Sequence, residues 1–179
     1  MRRIYESDAL HRDDDPHTPN EKDTSRRVQA VRWVNSTLLS RLLLPTGIAY
    51  RAVSVDISTP NDEFAPGESV PFVVTMKNSL PTPVTIPTES LVLWTWTVDG
   101  VPEASHVPLR DPPDERGAFV FDRGERKQFH KRWDQRFKVG NDEWEAADPG
   151  TYTLGAEFNV PAADEKGLSS ETIVEIRSD

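Results

Sequence analysis

The chain reads as an all-β protein, an antiparallel sandwich or barrel of about 8–9 short strands preceded by one helix. Three observations predict this. Apolar and polar residues alternate over short runs from Tyr50 to the C-terminus, the period of a half-buried strand. Turn signals built from Pro, Gly, Asn and Asp separate the runs roughly every 8 to 12 residues. Most prolines fall at or after Pro45, at turns and run ends, where a missing N–H does not interrupt a ladder.

Residues 1–23 hold few apolar side chains and carry His11-Arg12-Asp13-Asp14-Asp15-Pro16. Such a segment cannot bury enough surface to offset its ordering entropy, so a mobile tail is expected. No apolar run follows Arg2-Arg3, so a secretory signal is not expected.

Residues 24–45 predict a basic amphipathic helix. Thr24 or Ser25 can cap it, and Pro45 with Gly47 ends it. Val28, Val31, Val34, Leu38 and Leu42 recur at helical spacing on one face. Arg26, Arg27, Arg32 and Arg41 form its interaction face, with no acid in the window. The preferred reading is a helix docked on its own acidic domain or on a dimer partner. A helix lying on an anionic membrane surface is the alternative. A twin-arginine export signal at Ser25-Arg26-Arg27 is a third, opposed by the polar residues that interrupt its apolar run. Those residues also exclude a membrane span, which needs about 20 apolar residues.

Residues 46–179 form the sandwich domain. Tyr50–Ser58 alternates with Val53, Val55 and Ile57 inward. Residues 59–68 are a polar turn closed by Pro66-Gly67. The most apolar and regular stretch runs from Val70 to Gly100 and holds three strands. Phe72, Val74 and Met76 share one face of the first. Val84-Thr85-Ile86 is bracketed by Pro81, Pro83 and Pro87, which places it at a sheet edge or on a crossover. Val92, Trp94, Trp96 and Val98 form the apolar row of the third. Asp99-Gly100 predicts a type I′ hairpin, with a return strand over Val101–Val107. Residues 108–117 are a proline-stiffened loop, followed by a short strand, Ala118–Phe121, and a turn at Asp122–Glu125. Arg126–Phe137 reads as one strand, since Phe129, Trp133 and Phe137 share a parity. Residues 138–148 read as an acidic loop. Two further strands, Thr151–Asn159 and Ser170–Arg177, flank a polar loop.

Composition bounds the function. The net charge is −9, and Arg outnumbers Lys 15 to 6. An acidic, lysine-poor surface fits adaptation to a salt-rich cytoplasm, and a cytoplasmic location is expected. Residues 1–50 carry 8 basic and 7 acidic groups, against 13 and 23 in residues 51–179. This balance argues against nucleic-acid binding, because phosphates are repelled. With no cysteine in 179 residues, disulfides and thiolate-bound metal are excluded.

The punctuation of the domain resembles a known family. Lys77-Asn78-Ser79 closes one strand, and Pro81 to Ile86 follow. Then come the Trp-bearing hairpin, the Gly124-Glu125 turn before Trp133, and Asp148-Pro149-Gly150-Thr151-Tyr152 opening a strand. This order resembles the intracellular proteinase inhibitor (BsuPI-type) domain over residues 68–159. The resemblance implies an immunoglobulin-like antiparallel β-sandwich that binds proteins and is not an enzyme. It also implies inhibition of a serine protease as a narrower role.

Candidate contacts to an unidentified protein partner are Arg110 and Asp111, in the stiffened loop, and Trp144, in the acidic run Asn141–Glu145. For the loop, a plain connection between sheets is the preferred reading. Preorganisation there would lower the entropy lost on binding. Trp94, Trp96 and Trp133 are expected in the core, though stacking on a carbohydrate is an alternative for exposed tryptophans. Asp111, Asp114 and Glu115, or Asp142, Glu143 and Asp148, lack the spacing of a calcium loop and read as solvating charge. His106 and His130 have no evident nucleophile partner, and no phosphate-binding loop or His pair occurs. No catalytic residue, metal or cofactor is therefore expected.

Overall fold

The computed structural model describes residues 45–109 and 111–178. Chain order is α1 (Thr46–Ala52), β1 (Val53–Ser58), β2 (Glu63–Phe64), β3 (Val70–Asn78), β4 (Val84–Thr88), β5 (Trp94–Val98) and β6 (Val101–Pro102). It continues with β7 (Gly117–Phe121), β8 (Arg126–Trp133), β9 (Arg136–Lys138), β10 (Trp144–Ala146), β11 (Gly150–Phe158) and β12 (Ser169–Ile176).

Two sheets form the sandwich. One has the order β1-β3-β8, and the other β2-β12-β11-β5-β6. The pairings are antiparallel except for the short β2–β12 contact. By position, β1, β3 and β8 are strands A, B and E of an immunoglobulin sandwich, and β5, β11 and β12 are C, F and G. The fold is an immunoglobulin-like β-sandwich. Tyr152 supplies a second mark of that fold. It sits near the start of β11, and its hydroxyl donates to the Asp148 carbonyl at 2.8 Å, the tyrosine corner of such domains.

The inward faces follow the alternation. Val70, Phe72, Val74 and Met76 of β3 are buried, as are Leu154, Ala156 and Phe158 of β11 and Val174 and Ile176 of β12. Phe119 and Phe121 of β7 join this core, with ring centroids 4.7 Å apart and Phe158 at 5.4 Å from Phe119. Offset aromatic contacts of this kind add about 0.5–1.5 kcal/mol each beyond area burial. The β4 strand pairs only with β7, so the proline-bracketed segment lies outside both main sheets. Asp99 and Gly100 have φ of 47° and 78°, the conformation a type I′ turn requires, and β5 and β6 close around them.

Five expectations need correction. Tyr50–Ala52 belongs to α1, which starts just after Pro45. Apolar alternation into Val53 disguised it, but Ala49 and Ala52 are buried at a helical spacing. The 59–68 turn contains β2, whose Phe64 is buried against β12. The return strand after Gly100 is only Val101–Pro102. The long Arg126–Phe137 strand is broken at Asp134-Gln135, where Gln135 takes φ 52°. The acidic loop holds β10, which folds back on β9. Among the described residues, eight strands have five or more residues; of the four shorter ones, β2 and β10 fall where the sequence reads loop, and β6 and β9 are pieces of longer expected strands.

The tyrosine corner carries a pH consequence. Burial pushes the Tyr152 hydroxyl up, and the charges of Asp148 and Asp99 push it further. A raised folded-state value means that this stabilisation is complete below the ordinary tyrosine range and is lost as pH rises through the folded value. Wild-type stability is expected to fall above about pH 10 more steeply than that of Tyr152→Phe. Urea midpoints across alkaline pH check this, and parallel curves would refute it.

Candidate functional site

The break between β8 and β9 builds the site. Gln135 is buried, and its left-handed backbone turns the chain so that β9 and β10 fold over one end of the sandwich. Its side chain fixes that turn to the 65–67 loop: Nε2 donates to the Ala65 carbonyl at 2.9 Å, and Oε1 accepts from the Gly67 N–H at 2.6 Å. Its own carbonyl accepts from Ala147 N–H at 2.8 Å. On the other side, Lys138 N–H donates to Ala104 and the Lys138 carbonyl accepts from His106 N–H, both at 2.8 Å. The β9–β10 hairpin is thus tied to the sandwich at one end by the Gln135 side chain and at the other by the Lys138 backbone bonds, anchors that a two-strand ribbon, marginal by itself, needs.

Beneath the hairpin lies a cleft of about 620 Å³. Trp96, Trp133, Arg132, Arg136, Glu103 and Trp144 are among its lining residues. Trp133 is its rigid floor. The indole is buried, meets Tyr152 at 4.9 Å and Phe137 at 5.7 Å, and its Nε1 donates to the Arg136 carbonyl at 3.1 Å. Trp96 is part-buried against Phe72, with centroids 5.2 Å apart. Trp144 stands at the rim and is 55% exposed. Its only charged neighbour over the ring, among the described residues, is Lys138 with Nζ at 6.0 Å, the outer limit of a cation–π contact. Arg132 pairs loosely with Asp134 at 3.5 Å in a solvated setting, an arrangement worth little.

The sequence-predicted contacts divide. Trp144 is at the cleft and exposed. Asp111 is exposed in the proline-stiffened loop and does not line the cleft. Arg110 and the helix face Arg26, Arg27, Arg32 and Arg41 lie outside the described residues. Trp94 and Trp133 are buried, and Trp96 is part-buried. Sequence reasoning missed Arg132, Arg136 and Gln135 as site builders. A buried Gln at a strand break leaves no local signal, because its partners are about 70 positions away. Among the described residues, no three His, Cys, Asp or Glu side chains gather as a metal site, and no helix is long and apolar enough to cross a membrane.

A sequence family described as a family of unknown function (DUF7974) matches residues 41–177. The chain belongs to that family. DUF7974 thus spans α1, the whole sandwich and the β9–β10 hairpin. No curated protein matches the chain. Among solved structures, this DUF7974 chain is similar to the CARDB domain of the PF1109 protein from Pyrococcus furiosus, crystallised in complex with di-metal ions. The identity is 13%, the match covers 71% of this chain and 94% of that one, and the TM-score is 0.42. A β-glucosidase from Listeria innocua in complex with isofagomine is 16% identical over 70% of this chain and 16% of its own, with a TM-score of 0.42. The alkylpurine DNA glycosylase AlkC of Pseudomonas fluorescens is 12% identical over 71% and 31%, also at 0.42. At these values none of the three bears on a residue of the DUF7974 cleft.

Proposed function

We propose that the chain is a non-enzymatic, protein-binding β-sandwich module whose contact centre is the Trp144 cleft. The observation that carries this reading is the exposed indole of Trp144, held on an anchored hairpin beside a cleft that also presents Arg132 and Arg136. Trp and Arg are the residues that most often dominate protein interfaces, and a rigid mount lowers the ordering cost of binding. The resemblance to the BsuPI-type inhibitor domain supports the same class. Inhibition of a serine protease is its narrower form, with Arg110 and Asp111 on the stiffened loop as contacts. The acidic, cysteine-free composition supports a cytoplasmic, salt-adapted setting. The membrane-surface alternative rests on the Arg26–Arg41 face alone, and the exposed indole beside polar groups keeps a carbohydrate ligand as the competing occupant of the cleft.

The test is affinity capture by the full chain from native high-salt lysate, read by mass spectrometry, followed by direct titration of the captured protein. Trp144→Ala is expected to weaken that complex by about 2 kcal/mol, roughly thirtyfold. Undiminished affinity in Trp144→Ala overturns the cleft as contact centre. Saturable binding on a glycan array, lost in the same variant, replaces the protein partner with a sugar. Inhibition of a subtilisin-type protease that disappears in Arg110→Ala establishes the narrower role.

A further inference from the structure

The β8 strand, RKQFHKRW, carries Arg126, Lys127, Lys131 and Arg132 and no acidic residue, on a chain of net charge −9. It is also an edge. In the order β1-β3-β8 it has a hydrogen-bonded neighbour on one side only. Asn78 N–H donates to the Glu125 carbonyl opposite it at 2.9 Å. With the observed register, that bond sets residues 127, 129, 131 and 133 as those bonded to β3. The N–H and C=O groups of Arg126, Gln128, His130 and Arg132 therefore face the open side. Within the described residues, Lys127 is paired with Glu125 at 2.7 Å and Arg132 loosely with Asp134. Arg126 and Lys131 have no carboxylate within bridging distance there, and Lys131 lies over the Trp94 ring at 5.8 Å.

We propose that the open edge of β8 receives an extended, acidic segment of a partner protein as an added strand. This rests on the protein-binding reading above and names the partner's chemistry. Unpaired main-chain groups select an extended backbone, and the cations beside them select carboxylates. A second copy of this chain adding its own β8 would set like charges opposite each other, which is unfavourable. Arg132 belongs both to this edge and to the cleft lining, so the added strand would run on into the Trp144 cleft. Cations on an edge strand also discourage self-association, and the experiment separates the two roles.

The probe is a fluorescent alternating Val-Glu decapeptide, titrated into the full chain at low salt. The controls are a Val-Lys decapeptide, a Val-Glu peptide N-methylated at alternate residues, and duplex DNA. Saturable binding of the Val-Glu peptide is expected, with every control weaker by roughly tenfold or more. Gln128→Pro removes one outward N–H while leaving the β3 bonds intact, and Arg126→Glu reverses one unpaired charge. Each is expected to weaken the peptide by about tenfold. Equal binding of the N-methylated peptide or of DNA overturns the proposal in favour of unspecific charge attraction. Unchanged peptide affinity in Arg126→Glu, with new self-association on sedimentation, reduces the cations to edge protection and also overturns it. Capture of a Trp144-dependent partner without peptide binding leaves the protein-binding reading standing and removes only this inference.

Discussion

Trp133→Ala is expected to destabilise the sandwich by about 3–5 kcal/mol, the range for deleting a buried large aromatic. The side chain is 2% exposed and ends β8 opposite Val70. Its removal deletes the contacts to Tyr152 and Phe137 and leaves the Arg136 carbonyl without its indole donor. The resulting void adjoins the cleft, so water can enter it, and a loss near the lower end of the range is expected. Trp133→Phe keeps an aromatic ring and forfeits mainly the N–H bond and some volume, for a cost of about 1–2 kcal/mol. Urea unfolding with an unchanged slope measures both. A Trp133→Ala loss below about 1 kcal/mol would mean that the indole is not the floor of the site.

Asn78→Ala is the second large effect, about 3 kcal/mol. Asn78 is fully buried at the end of β3. Its Nδ2 donates to the carbonyls of Thr82 at 2.8 Å and Asp122 at 2.9 Å, and its Oδ1 accepts from Leu80 N–H at 2.9 Å. One side chain thus fixes the turn leading to β4 and the turn leading to β8. Alanine removes all three bonds; Thr82 and Asp122 are exposed and Leu80 is half-buried, so water can reach the freed groups and each lost bond costs toward the low end of about 1–3 kcal/mol. Asn78→Asp keeps the acceptor but points a carboxylate at two carbonyl oxygens, which favours its protonated form. That variant is expected to be more damaging at neutral pH and partly rescued as pH falls toward the carboxylate range. Denaturant midpoints at acidic and neutral pH check it, and a variant equally unstable at both would show that the two donors are not what matters.

These two residues show where sequence reasoning reaches. Strand β3 was legible because Phe72, Val74 and Met76 alternate with polar neighbours and a polar turn follows. β4 was legible because Pro81 and Pro83 precede it, although it runs one residue past Pro87, to Thr88. The start of β11 was visible as Asp148-Pro149-Gly150-Thr151-Tyr152, whereas the tyrosine corner there is set by a bond that only the fold shows. By contrast, Asn78 reads only as a turn residue, since its own burial and its bonds to the Thr82 and Asp122 carbonyls are assembled by tertiary structure. Strand β2 was hidden because two residues carry no period, and its parallel partner in β12 is supplied by the far end of the chain. The β9–β10 hairpin was hidden because Glu143, Trp144 and Glu145 are exposed and show no inward face. The cleft was illegible as a unit, since Trp96, Trp133 and Trp144 reach it from different strands. Of the candidate contacts among the described residues, Trp144 lines the cleft and Asp111 does not; the sequence singled out Trp144 only by the contrast between an indole and its acidic neighbours.

The ladder register also bears on how fast the molecule assembles. Val70 pairs with Trp133, and Trp94 with Phe158, so each sheet closes through residues far apart along the chain. Loop-closure entropy must be spent before those contacts return anything, and topologies of this kind fold in milliseconds to seconds. The hairpins around Asp99-Gly100 and Gly140 can form on their own within about 1–10 μs, yet neither joins the two ends of a sheet. The rate is therefore set by the meeting of β3 with β8 and of β5 with β11. While that meeting is pending, the edge of β3 that β8 will occupy lies open, and β8 brings its row of cations to it.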